Sequence, residues 1–547
     1  MKVAQGIGHA LADLGVEQCF GVVGSGNFIV TSTLCRRGAR FVAARHETSA
    51  VAMADGYARV TRRPGIATVH QGPGFTNALT GMTEAAKAHS PVLLVAADTP
   101  AAWVDSNFRI DQAAVASGAG IATERIHGPT TAADDLARAW RQVTVDRTAT
   151  VLLLPLDVQG AEVAGPFNPV VDQAPAPSLP APDAVAEAAD LIEAAERPVI
   201  VAGRGAMLAG ARLPLERLGE VIGAPLATSL NAHGLFAGSP TNLGVSGGFA
   251  TPLAAEVIGQ ADLILAFGAS LNRWTTRHGR LIGASTRVLQ VDVNRNALGS
   301  RTHVDLGIAA DAAATATALH DAIVARGSRR PDVRTGELAE RIGVGNWRNE
   351  PFEEQSTRAT VDPRTLTIAF DEILPTERTL TVDGGHFSGW PVMFLSVPDA
   401  DGFVFNQSYQ SIGLGMGAAI GTALGRPDRL AVAAVGDGGL FMALGELETA
   451  ARLGVAMVVL VYNDDAYGAE VHHFEPEGHP LDIVRFPPTD VAAIARATGA
   501  DGVTVRSVDD LAAVVKWVEA PRERPLVVDV KVTPTVIGAW LPEAFRA

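Results

Sequence analysis

Short, unbroken runs of Val, Ala, Ile and Leu recur along the whole chain, and Ala-rich stretches with apolar residues at helical spacing lie between them. "PGIATVH" and "SPVLLVAAD" come early, "RPVIVAG", "ADLILAFG" and "TRVLQVDV" in the middle, "RLAVAAVGD" and "VAMVVLVYN" late. A strand with one wet face alternates apolar and polar residues. An unbroken apolar run between helices reads instead as a strand covered on both faces, the mark of a parallel α/β sheet. Two polar stretches interrupt the rhythm: "GPFNPVVDQAPAPSLPAPD", Gly165–Asp183, and a charged one over 327–363. They divide the 547 residues into parts of ordinary domain size. The expectation is three doubly wound parallel-sheet α/β domains, at 1–165, 183–327 and 360–547.

Composition removes several functions. The formal charge is −15 with no run of Lys or Arg, which argues against nucleic acid and anionic membrane as partners. Cys19 and Cys35 lack CxxC spacing and sit among apolar residues, so both are expected as buried, reduced thiols rather than a disulfide or zinc site. There is no apolar stretch long enough to span a bilayer and no basic start followed by an apolar block. A cytoplasmic protein is the expectation.

The stretch "GDGGLFMALGELETAARLGVAMVVLVYNDD", Gly436–Asp465, carries the chemistry. "LAVAAV" before it and "VAMVVLVY" within it read as strands. Leu440, Leu444, Leu447 and Ala451 fall at helical spacing, predicting one helix over Leu440–Leu453 that ends at Gly454. A strand–helix–strand crossover sets its strands parallel. Asp437 and Asp464 then both lie past strand ends, at the carboxyl edge where open α/β sheets bind ligands. Two oxygen donors there suit Mg²⁺ or Ca²⁺, and the amides of Gly438 and Gly439 beside a helix start suit phosphate. Taken singly, Asp437 is a turn acid and Asp464 a surface cap; the correctly spaced pair is the specific signal.

Gly-Asp-Gly followed after about 25 residues by Asn-Asn or Asn-Asp is similar to the signature of thiamin diphosphate enzymes, and the resemblance extends over most of the chain. It points to the group containing acetolactate synthase, benzoylformate decarboxylase and benzaldehyde lyase. The resemblance implies Mg²⁺ held by Asp437, Asp464 and the carbonyl of Ala466, with Asp464 standing where Asn is commoner. It also implies that the three domains are pyrimidine-binding, central Rossmann-like and diphosphate-binding. "VDGGHFSGW" resembles the loop contacting the diphosphate, through Gly385, His386 and Phe387, together with Gly436, Gly438 and Gly439 of the glycine turn. In "QSIGLGMGAAIG", Ile412 matches the bulky residue that bends the cofactor, and Gln410 matches the position whose carbonyl takes the 4′-amino group.

Near the start, "FVAARHETSAVAMADGYARVTRRPGIATVHQGPGFTNAL" covers Phe41–Leu79. Glu47 opens a helix whose Ala50, Ala54 and Ala58 allow close packing. Alone it is a first-turn acid favoured by the helix dipole. The "HE", "A.ADGYAR" and "GPG.TN" pieces resemble the family's pyrimidine domain, which implies that Glu47 bonds the pyrimidine N1′ and promotes loss of the thiazolium proton. Ser25, in a turn after an early strand, and His70, at the end of another, match active-site positions of benzoylformate decarboxylase. On residues alone they are equally a turn residue and a packed histidine. The other active-site histidine of that enzyme falls near Thr275, with His278 close by. Gln71 and "GPGFTNAL" look more like acetolactate synthase and benzaldehyde lyase.

The middle domain's "VAGRGAMLAG" is a GxG turn without the full dinucleotide fingerprint. Domains at this position bind FAD in acetolactate synthase and are empty in several relatives; the empty state is expected. The leading function is a thiamin diphosphate- and Mg²⁺-dependent decarboxylase, lyase or carboligase acting on a 2-oxo acid or 2-hydroxyketone. The alternatives are acetolactate synthase with FAD, a nucleotide-dependent oxidoreductase, or a non-catalytic relative. The resemblance further implies a homodimer or dimer of dimers, with each site between two chains. The segment Val471–Phe486 and the tail around Trp540 read as a lid or as a plain surface loop.

Overall fold

A computed structural model describes residues 1–163, 165–171, 175–328 and 336–546. Parts of both polar stretches, 172–174 and 329–335, lie outside the described residues, as do Ala164 and Ala547. Three six-stranded sheets form, and every strand pair in them is parallel. The unbroken apolar runs are their central strands: Gly65–Val69, Val92–Asp98, Pro198–Ala202, Leu263–Phe267 and Met457–Asn463 are buried from end to end.

The first sheet orders its strands Arg40–Ala43, Gln18–Gly21, Gly65–Val69, Val92–Asp98, Thr150–Pro155, Ala122–Arg125. The third repeats that order with Phe403–Phe405, Arg378–Val382, Leu430–Gly436, Met457–Asn463, Leu526–Lys531 and Asp501–Val505. The middle sheet differs, running Leu306–Ala309, Arg287–Asp292, Leu263–Phe267, Pro198–Ala202, Leu226–Thr228, Asn242–Val245. In each sheet two neighbouring strands send their connections to opposite sides at a reversal point, and the strand ends open a crevice there. For the first sheet that point lies between Gln18–Gly21 and Gly65–Val69, for the third between Arg378–Val382 and Leu430–Gly436.

The first and third domains share one apolar core, running from Phe20 and Met82 through Met416 and Ile420 to Leu447 and Val459. Its axis is the contact between the helices Glu47–Thr61 and Gly415–Gly425. The backbones nearly touch: a methyl on Gly417 would sit 2.9 Å from Ser49 O, and methyls on Gly56 and Gly421 would collide with Ala418 O and Met53 O. Ala50, Ala54 and Ala58 are buried as expected, but Ser49, Ala52, Met53 and Gly56 make this approach.

Three expectations change. The single helix over Leu440–Leu453 is two, Asp437–Met442 and Glu446–Arg452, separated by Ala443–Gly445. Apolar spacing continues across the break, so periodicity alone does not reveal it. The charged stretch before 363 contains a helix, Glu337–Val344, seated on the middle domain through Ile342 and the Arg341–Glu256 ion pair. Of the two free thiols, Cys19 is buried but Cys35 is partly exposed.

Candidate active site

The strand register sets up the acidic centre. Gly436 pairs with Tyr462, so Asp437 follows one strand end and Asp464 follows Asn463, the end of its neighbour. Asn463 fixes the turn: its amide donates to Asp529 Oδ1 at 2.8 Å, and its Oδ1 accepts from Asp465 N at 3.1 Å. Asp465 takes a left-handed φ of 53°, and Ala466 N donates to Asp464 Oδ1 at 3.2 Å. Burial pushes both carboxyls up; the Asp464 charge raises Asp437 further, a hydrogen bond from Asp437 partly offsets the rise of Asp464, and Asp465 adds repulsion to both. Two acids that oppose each other's joint ionisation in a buried turn are a donor set that could hold a divalent cation.

Glycines bring backbone close to this centre. A methyl on Gly438 would lie 2.6 Å from the Tyr467 ring, and one on Gly439 2.6 Å from Asp383 Oδ2. Asp383 was missed from sequence. It follows the strand Arg378–Val382, is fully buried with its pKa raised to about 6 by burial, and accepts from Gly413 N at 2.8 Å and Leu414 N at 3.3 Å. It thus ties the loop bearing Gln410 and Ile412 to the third sheet's reversal point. Gln410 is exposed at φ 63° and Ile412 is half-buried. An acid after a buried strand and before Gly-Gly was the available signal.

Gly385 has φ 134° and Phe387 packs beside Gly436. His386 is buried, which holds its pKa down near 3. Its Nε2 accepts Gly538 N–H at 2.9 Å, its ring stacks on Trp540 at 5.7 Å, and His472 lies 4.4 Å away. Phe545 stacks on His473. The Val471–Phe486 segment and the tail therefore meet over His386. The far end of that segment braces the acidic turn, where Phe486 N donates to Asp465 O at 2.7 Å. His278 holds the same tail, its Nε2 bonding Glu543 O at 2.9 Å, while Thr275 is buried.

Ser25 and His70 follow the two strands that flank the first sheet's reversal point. Ser25 Oγ lies 3.3 Å from His70 Nε2, and His70 Nδ1 lies 3.0 Å from Gln71 O. A carbonyl only accepts, so Nδ1 carries the proton and Nε2 accepts from the serine. Phe108 packs on the His70 ring at 5.1 Å. Gly72, at φ 66°, makes the turn, and buried Gln112 secures it by accepting Gly72 N–H at 2.8 Å. Gln71 is buried with its Oε1 unpartnered.

Glu47 is half-buried at its helix start, which His46 caps through Thr48 N. It accepts from Asn77 Nδ2 at 3.0 Å. A methyl on Gly74 would lie 3.3 Å from His70 Cβ and 3.5 Å from Glu47 Oε1, so bare backbone separates the two. Glu47, Ser25, His70 and Gln71 therefore form one group on the first domain, and the aspartates with Gly385–Phe387 another on the third. A second possible metal cluster, Glu124, His127 and Asp135, is already occupied by the Arg138 guanidinium, which bonds both carboxylates.

Three family matches divide the chain as its sheets do. Residues 1–117 match the thiamine pyrophosphate enzyme N-terminal TPP binding domain, 185–319 the central domain and 383–530 the C-terminal TPP binding domain. A probable 2-ketoarginine decarboxylase of Pseudomonas aeruginosa is 30% identical over 86% of this chain and 83% of its own. A sulfoacetaldehyde acetyltransferase of Rhodobacter capsulatus is 29% identical over 91% and 88%. A probable acetolactate synthase large subunit of Methanocaldococcus jannaschii is 27% identical over 86% and 81%.

Proposed function

Because the chain belongs to the thiamine pyrophosphate enzymes, we propose that it is a Mg²⁺-dependent decarboxylase or carboligase acting on a 2-oxo acid or 2-hydroxyketone. The observation that carries this reading is the Asp437–Asp464 pair, two buried carboxyls that resist joint ionisation beside a glycine turn. A divalent ion held there would relieve that repulsion and offset the charge of a diphosphate. Asp437, Asp464 and the Ala466 carbonyl would hold the ion. Gly436, Gly438, Gly439, Gly385, His386, Phe387, Gln410 and Ile412 would hold the cofactor.

Bound thiamin diphosphate supplies the nucleophilic carbon and the sink for the electrons released on C–C cleavage. Glu47, steadied by Asn77, holds a proton at the pyrimidine N1′. When protonated, His70 would orient the substrate carboxylate or return a proton to the reacting carbon, with Ser25 beside its Nε2. The unpartnered Oε1 of Gln71 is free to accept from a bound ligand.

Two groups on separate domains fit a site completed by a second copy. Phe28, Trp103 and Phe108 of the first domain, and Phe441, Met442 and Ile483 of the third, are exposed, as surfaces awaiting a partner would be. For the central domain we favour no flavin. Its reversal point, between Pro198–Ala202 and Leu263–Phe267, is closed by backbone: Gly203 N donates to Phe267 O at 2.8 Å and Gly205 N to Gly268 O at 3.0 Å. Those amides are not available to a pyrophosphate.

Calorimetry of thiamin diphosphate with Mg²⁺, on wild type and Asp437→Ala, tests the reading; equal affinity in both refutes the metal assignment. A panel of pyruvate, benzoylformate, branched 2-oxo acids and 2-ketoarginine, followed for CO₂ and coupling products, then fixes the substrate.

A further inference from the structure

Glu446 is 1% exposed and sits at the start of the second half of the broken helix. Burial pushes its pKa up, against hydrogen bonds that favour the charged form. Such a carboxylate is costly to keep unless its oxygens are used. One is: Oε1 accepts the peptide N–H of Arg45 at 3.0 Å and of His46 at 3.1 Å, across 401 and 400 residues of chain. The Thr449 and Ser49 hydroxyls act on the same carboxylate.

The rest of the Glu446–Arg452 helix grips the same loop. Arg452 Nη2 donates to Ala43 O at 2.6 Å, and Glu448 pairs with Arg45 Nε at 2.7 Å. A methyl on Gly445 would lie 3.1 Å from Arg45 Cβ, so the turn that breaks the helix is pressed against the loop. The loop needs an outside acceptor. His46 is the extended cap residue of the next helix, at φ −144°, and peptide N–H groups ahead of a helix start have no acceptor within it. The residue that follows is Glu47. A continuous helix over Leu440–Leu453 would not present Glu446 as a first-turn residue at this loop; the Ala443–Gly445 break does.

We propose that Glu446 is a positioning residue for Glu47: its carboxylate fixes the Arg45 and His46 peptides and so sets where the Glu47 side chain leaves the helix start. This rests on the reading of Glu47 as the group that faces the cofactor. The same segment begins at Asp437, so one stretch of the third domain carries both a metal-site residue and the clamp on the first domain's acid.

Two conservative variants separate reach from charge. Glu446→Asp keeps the charge and withdraws the oxygens by one methylene; Glu446→Gln keeps the reach and removes the charge. In cofactor-free protein, hydrogen exchange at the Arg45 and His46 amides should quicken by at least about tenfold in Glu446→Asp and stay within about threefold of wild type in Glu446→Gln. With thiamin diphosphate and Mg²⁺ bound, proton exchange at the thiazolium carbon should slow by at least about tenfold in Glu446→Asp, with cofactor affinity within about threefold. Adding Glu446→Asp to Glu47→Gln should slow it no further. Unchanged amide exchange in Glu446→Asp overturns the proposal, as does an additive loss in the double variant or an equal defect in Glu446→Gln. If Glu446→Asp does not fold, Arg452→Gln, which removes the bond to Ala43 O, carries the amide test with the same expected direction. A wild-type protein that takes up no thiamin diphosphate refutes the cofactor reading instead, and the amide arm still decides the clamp.

Discussion

Replacing Asp464 by Asn should make the metal-free protein more stable and its metal site weaker. In wild type burial pushes both carboxyls above the ordinary aspartate range, and the Asp464 charge raises Asp437 further. Raised acids make the folded protein bind protons more tightly than the unfolded chain. Apo stability should therefore be fully present below about pH 4, the unfolded value, and fall as pH rises through the raised folded values. Two unit charges about 4 Å apart repel by roughly 4 kcal/mol at an effective dielectric of 20. Partial protonation relieves some of this, so Asp464→Asn should gain about 2–3 kcal/mol at pH 8 and less than about 1 kcal/mol at pH 5. At about 2–4 °C per kcal/mol for a domain of this size, the third domain's Tm should rise by at least about 4 °C at pH 8. Scanning calorimetry at both pH values, with and without Mg²⁺ and thiamin diphosphate, gives the comparison. Saturating ligand should favour wild type, whose two carboxylates offer the cation more charge. An apo Tm at pH 8 that does not rise, or a gain equal at pH 5 and pH 8, refutes the repulsion argument.

Glu47→Gln should bind cofactor while thiazolium proton exchange, followed by NMR, slows by about 10²–10⁴-fold; wild-type exchange would reject its role. His70→Ala should lower kcat/KM by at least about tenfold, roughly 1.4 kcal/mol, with cofactor affinity near wild type. Lost Tm with unchanged activity per folded molecule would mark it as a packing residue. Light scattering of the active protein should give a dimer or larger, and an active monomer would refute the shared site.

Much of the architecture was legible because its signals are local. Unbroken apolar strands such as Met457–Asn463 announce burial on both faces, and a strand–helix–strand crossover has one favoured handedness. Those two facts bring Asp437 and Asp464 to one edge from 27 residues apart in sequence, and the helix start at Glu47 is marked by the residues around it. The tertiary structure decided what depends on partners remote in the chain. Asp383 reads as an ordinary strand-end acid until Gly413 and Leu414 bring their amides to it. The GxG of the middle domain names no partner by itself; in the fold Gly205 N donates to Gly268 O. His278, near the position of a second active-site histidine, is taken by the tail at Glu543. The helix break before Glu446 leaves no trace in apolar spacing, because its use is a bond to Arg45 and His46 in another domain. Periodicity records which face of an element is buried, whereas the partner of a buried polar group is set by sheet order and domain packing, which no local pattern encodes.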